Sequence, residues 1–183
     1  MKVAFDTATL IVLVSPNPGA VLDRNGNPVN DAKARVENLF EELSESRTQI
    51  VIPTPAFSEL LTRTVNAASK YFEVIRNSKY VKFEPFDERA AIEAAEMTRK
   101  AFESGKGKRG GSSDPWPKIK FDRQIVAVAK VCGAEKIYSQ DGGVATLGHS
   151  VGIPVIGIAD LPLPVQQSQA VIHFDKPERE TKS

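Results

Sequence analysis

Histidine, cysteine and tryptophan are nearly missing from this chain of 183 residues: it has two His, one Cys and one Trp. A single cysteine, Cys132, excludes an internal disulfide and fits a reducing compartment, so a cytoplasmic location is expected. His149 and His173 are too few and too scattered for a zinc site. Net charge is also lacking, with 24 Lys and Arg against 23 Asp and Glu for a balance of +1, so any attraction for nucleic acid must be local. No apolar run approaches the roughly 18 residues of a membrane span. The opening "MKVAFDTATLIVLV" is interrupted by Asp6 and lacks a small-residue cleavage site, so it reads as a first strand and not as a signal peptide.

What remains is an ordinary globular composition, 41% hydrophobic and 26% charged, of a length that suits one domain. Strand-like and helix-like segments alternate along it. "KVAFD", "TQIVIP", "YVKFEPF", "EKIYS" and "IPVIGI" read as five strands. "TATLIVLV" continues the first strand or begins a helix, because its β-branched residues leave both open. Asp31 is expected to cap a helix to about Ser46, Thr54 one that runs through Asn77 with Pro55 at its first position, and Asp87 a third. "IKFDRQIVAVAKVCG" reads as a helix ended by Gly133, and "GGVATLGHSVG" as a short one. "QAVIHF" is a possible edge strand before a charged tail. Alternation of this kind means a three-layer α/β/α fold with a central, mainly parallel five-stranded sheet. The domain is expected over residues 1–165, with insertions at about 16–31 and 104–118 and a polar tail at 166–183.

Sites in such sheets form beyond the carboxyl ends of the strands. Asp6 ends the first strand, Glu59 lies in the early turns of the helix after "IVIP", and Asp141 follows the fourth strand. Asp122, near the expected start of its helix, reaches the same rim if the long loop before it climbs there. Converging carboxylates repel, and a hard divalent cation removes the conflict. Oxygen ligands with few histidines favour Mg²⁺ or Mn²⁺ over zinc, which suits hydrolysis of a phosphodiester. The bland readings are a turn-capping acid for Asp6 and Asp141, a dipole-favoured glutamate for Glu59 and a helix cap for Asp122. Arg63, one turn beyond Glu59, either reaches the site or pairs with that glutamate on the helix surface, the surface pair being favoured.

Three segments together resemble the PIN-domain ribonucleases: "KVAFDTATL", "IPTPAFSELL" and "FDRQIVAVAKVCGAEKIYSQD". The resemblance spans roughly residues 2–158. It implies a Mg²⁺- or Mn²⁺-dependent endoribonuclease whose metal-binding and catalytic acids fall on Asp6, Glu59, Asp122 and Asp141. It also implies that Ser139 supports the last acid and that Thr7 helps position the first. Many small members are toxins of VapBC-type toxin–antitoxin pairs, so an antitoxin partner and a homodimer are expected. Lys106, Lys108, Arg109, Lys118, Lys120 and Arg123 form a local basic excess that either contacts RNA phosphates or is a solvated loop. Trp116, between two prolines, either stacks on a base or packs on its own loop.

Two other functions compete. A non-catalytic PIN-like module would bind RNA or protein without metal. "FDTAT" faintly resembles the Asp-x-Asp nucleophile loop of haloacid-dehalogenase phosphatases, but Ala8 stands where the second aspartate belongs.

Overall fold

The structure, a computed structural model, describes residues 1–63, 73 and 75–164. The expected edge strand "QAVIHF", the tail at 166–183 and much of the helix expected to run through Asn77 lie outside the described residues. The elements in chain order are β1 (Lys2–Phe5), α1 (Thr7–Val14), α2 (Ala32–Glu45), β2 (Gln49–Pro53), α3 (Thr54–Arg63), β3 (Val81–Glu84), α4 (Glu88–Glu103), α5 (Trp116–Val131), β4 (Lys136–Tyr138), α6 (Gly142–Ser150) and β5 (Val155–Ile156). No helix among them is long and apolar enough to cross a membrane.

The five strands form one sheet in the order β3-β2-β1-β4-β5, and every neighbouring pair is parallel. Alternation of side chains along the strands feeds two cores. Val3, Phe5, Ile50, Ile52 and Tyr138 pack with α1 and α2 on one face. Ala4, Val51, Ile137 and Val155 pack with α4, α5 and α6 on the other. Apolar side chains on both faces make the central strands β1 and β2 nearly continuous apolar runs, as a sheet covered on both sides requires, while the edge strand β3 alternates Val81 and Phe83 with Lys82 and Glu84. The three-layer α/β/α architecture matches the sequence-based expectation.

The chain runs outward from β1 through β2 to β3, then returns to place β4 on the other side of β1. The switch point therefore lies between the carboxyl ends of β1 and β4, where a crevice opens and ligands bind in sheets of this kind.

Local details refine the expected boundaries. "TATLIVLV" is helical despite its β-branched residues, because the Asp6 side chain accepts the Thr9 N–H at 3.0 Å and starts the helix. Asp31 sits at the start of α2 in a left-handed conformation (φ 55°) and makes no side-chain cap bond. Thr54 is the first residue of α3, and its hydroxyl accepts the Phe86 N–H at 3.0 Å. Gly133, expected to end α5, has φ 75° just past the helix, a conformation that favours glycine. Within residues 16–31, Leu22 bridges Pro28 antiparallel, and Asp23 accepts the N–H groups of Asn25 and Asn27 at 2.8 Å each.

Candidate active site

Asp6 leaves β1 at the switch point and is 2% exposed. Burial without neutralisation disfavours the carboxylate, so its pKa is pushed up to about 6. Hydrogen bonds from Ser139 and Thr9 oppose that rise, and the charge of Asp141 adds to it. The Ser139 hydroxyl donates to Asp6 and also accepts the backbone N–H of Asp141 at 3.0 Å. Ser139 thus joins the acid after β1 to the acid after β4. Asp141 caps α6, accepting the N–H groups of Gly143 at 2.6 Å and Val144 at 3.1 Å. The turn-capping and site readings of Asp141 are therefore compatible: its carboxylate starts a helix and also lines the groove, whereas both oxygens of Asp6 are held by Thr9 and Ser139.

Asp122 corrects an expectation. It does not open a helix, because α5 begins six residues earlier at Trp116, with Pro117 in a first turn where proline is tolerated. Asp122 faces inward from the second turn, and its pKa is raised to about 6 by burial first and by the charge of Asp141 second. The charge and hydrogen bond of Lys118 lower it again.

The earlier start of α5 also places Lys118 one turn before Asp122 on the same face. Its ammonium lies 3.2 Å from Asp122 Oδ2, 2.9 Å from Asp141 Oδ2 and 3.0 Å from Asp114 Oδ2. Partial burial would depress its pKa, but the bonds to Asp141 and Asp114 and the charges of Asp122 and Asp141 outweigh that and hold it above the ordinary value. Lys118, expected on an RNA-binding loop, instead sits among the acids.

Gly143 makes this convergence possible. A Cβ there would stand 2.5 Å from Asp122 Oδ2 and 3.0 Å from Asp141 Oδ1, so only glycine leaves room for both carboxylates.

Glu59 stands on α3 with its carboxylate paired along the helix. Its carboxylate accepts from Arg63 at 2.8 Å along the exposed side of α3, the surface pair that an i, i+4 spacing favours. Thr7 is buried, and its hydroxyl donates to the Ala56 carbonyl at 3.5 Å. Thr9 takes the positioning role expected of Thr7. It donates its N–H to the capping carboxylate of Asp6 and its hydroxyl to the Tyr138 carbonyl at 2.8 Å, tying α1 to the end of β4.

A groove of about 840 Å³ runs from Asp122, Asp141 and Lys118 toward Lys106 and Arg109, between the end of α4, the following loop and α6. Lys106, Arg109 and Lys120 are exposed. Lys108 lies over the Trp116 ring at 5.2 Å from its centroid. Arg123 is a correction: it is 3% exposed, stacks on Trp116 at 5.5 Å and donates to Thr98 at 3.0 Å. It faces α4 and forms part of the inner wall of the same groove. Trp116 packs on its own loop, held between these two cations.

Sequence reasoning also missed Arg24. From the 16–31 insertion, its guanidinium donates to the carbonyls of Ser139 at 2.9 Å and Val155 at 3.3 Å. It pins the insertion across the ends of β4 and β5, beside the switch point.

Among the described residues, no three acidic, histidine or cysteine side chains close into a ready-made metal cage. Mg²⁺ does not need one, since it is held by one or two carboxylates with waters and substrate phosphates completing the shell. Asp122 and Asp141 supply such a pair, and an ammonium already stands between them as a cation. The donors present therefore fit a hard divalent cation, with Asp6 behind the pair through Ser139.

Neither a family model nor a curated protein matches the chain. Solved structures do. The DNA-bound VapBC of Salmonella typhimurium matches with a TM-score of 0.54 at 14% identity, over 86% of this chain and 98% of that one. VapBC2 of Rickettsia felis, bound to a DNA fragment from its promoter, matches with a TM-score of 0.51 at 13% identity, over the same shares of each chain. At these identities the likeness concerns architecture: the chain is folded like the PIN-domain component of VapBC complexes.

Proposed function

We propose that this protein is an endoribonuclease dependent on Mg²⁺ or Mn²⁺, and that it acts as the toxin of a type II toxin–antitoxin pair. The observation that carries the reading is the meeting of Asp6, Asp122 and Asp141 at the switch point, two of them with pKa values raised to about 6. Perturbed acids gathered in a cleft mark functional sites, because a fold has no structural need to bury charges against one another. Asp122 and Asp141 would hold the ion, which when bound supplies an activated water and stabilises charge on the phosphate and the leaving oxygen. Ser139 keeps Asp6 and Asp141 in register, and Thr9 fixes Asp6 on the end of β4. Lys106 and Arg109 face the same groove and would hold the phosphates of a strand lying in it. The fold shared with VapBC complexes supports an antitoxin partner and a dimeric assembly.

The test is incubation of the purified protein with mixed-sequence RNA and Mn²⁺ or Mg²⁺. Cutting that leaves 5′-phosphate ends, without hydrolysis of small phosphomonoesters, is the expected result.

One observation favours a second reading. Lys118 neutralises the acids, so a non-catalytic PIN-like module that binds RNA or protein would also tolerate them. Such a module would bind RNA equally with and without metal and would cut none.

A further inference from the structure

The ammonium of Lys118 occupies the place a metal would take between Asp122 and Asp141. We propose that Lys118 is a built-in counter-ion of the acidic pair that competes with the divalent cation, so that metal binding requires its displacement. This inference rests on the metal reading of the same site and adds to it how the site is kept when no ion is bound.

Three features carry it. The contacts are convergent: one ammonium lies within 3.2 Å of three separate carboxylates, from the loop before α5, from α5 itself and from the cap of α6. Two of them are built into the helix, because Lys118 and Asp122 lie four residues apart on one face of α5, and Asp114 meets the same ammonium from just before the helix. They are also exclusive of a metal at that point. Asp141 Oδ2 and Asp122 Oδ2, which flank the ammonium at 2.9 and 3.2 Å, are the oxygens a cation would have to recruit. An ion held at the 2.0–2.1 Å typical of Mg²⁺ leaves no room for an ammonium on the same pair.

Lys118 can leave. Its side chain is 38% exposed and borders the open groove, where a lysine stem has the freedom to reorient. A site of this kind shows an apparent metal affinity reduced by the fraction of molecules whose lysine has moved away. Without Lys118, metal-free protein would hold Asp122 and Asp141 unneutralised.

The experiment is a titration of MnCl₂ into metal-free full-length protein by isothermal calorimetry, together with thermal unfolding in EDTA and in Mn²⁺. It compares wild type with Lys118→Met and Lys118→Arg. The expected result is Mn²⁺ binding about tenfold or more tighter in Lys118→Met, with Lys118→Arg close to wild type. Lys118→Met is also expected to melt lower than wild type in EDTA and to gain more from Mn²⁺. Equal or weaker Mn²⁺ binding in Lys118→Met overturns the competition while leaving the metal site intact. Absence of binding in all three proteins at millimolar Mn²⁺ overturns the metal reading and this inference together.

Discussion

Ser139 donates its hydroxyl hydrogen to the buried carboxylate of Asp6. The bond favours the ionised form, so Ser139→Ala raises the Asp6 pKa further above its value of about 6. The sign of the stability effect follows. Asp6 already binds its proton more tightly in the folded chain than in the unfolded one, so its ionisation costs stability as pH rises from about 4 to about 6. Removing the hydroxyl deepens that cost and extends the window upward. Urea unfolding in EDTA should show Ser139→Ala less stable than wild type by about 1–3 kcal/mol at pH 8, and by less at pH 5. An equal loss at both pH values would mean that the bond does not discriminate between the two forms of Asp6.

Asp122 shares the sign but not the surroundings. Its pKa rises from 3.8 to about 6, so the folded state of metal-free protein loses stability between those values and carries the full penalty above them. Asn cannot ionise. Asp122→Asn should therefore be more stable than wild type in EDTA at pH 7.5, by roughly 1–3 kcal/mol, with the gain vanishing below about pH 4. The same variant should cut no RNA. A variant that is both inactive and less stable at neutral pH would show that the carboxylate is structural.

Gly143 is the narrow point of the site. Alanine favours the interior of a helix by about 1 kcal/mol over glycine, but its Cβ would lie 2.5 Å from Asp122 Oδ2. Gly143→Ala should keep the fold and its melting temperature within a few degrees, while lowering Mn²⁺ affinity and RNA cleavage at least tenfold. Calorimetry and a cleavage assay on one preparation check both halves. Unchanged affinity would show that Asp122 moves aside without consequence.

The basic side of the groove belongs to binding and not to chemistry. Changing Lys106 and Arg109 together to Gln should weaken RNA binding, and should flatten the dependence of log affinity on log salt by about 1.4 for two lost contacts to a single strand. Fluorescence anisotropy across a salt series measures the slope. Arg123→Gln is not a matched control, because that residue is buried against Thr98 and Trp116.

The parallel sheet and the acids at its rim were legible from strand–helix alternation and from aspartates that follow apolar runs. The start of α5 was not. Two prolines around Trp116 read as loop, yet both are tolerated at a helix entrance. Once the helix begins there, Lys118 and Asp122 share a face that Asp114 meets from the preceding loop, and the lysine becomes a partner of the acids and not a solvent cation. Arg123 was misplaced for a related reason, since counting charge along a segment does not say which side of the helix each residue takes. Glu59 falls in the expected turn of its helix, where the arginine four residues on pairs with it. Tertiary contacts such as Arg24 on the Ser139 carbonyl leave no mark in local sequence.

The central claim is that Asp6, Asp122 and Asp141 form a metal-dependent nuclease site. Its most direct test is cleavage of mixed-sequence RNA by wild type and Asp141→Asn, each with Mn²⁺ and with EDTA. Cutting by wild type in Mn²⁺ alone, lost in the folded variant, is the predicted result. Cutting that persists in EDTA, or in Asp141→Asn at the wild-type rate, would contradict it.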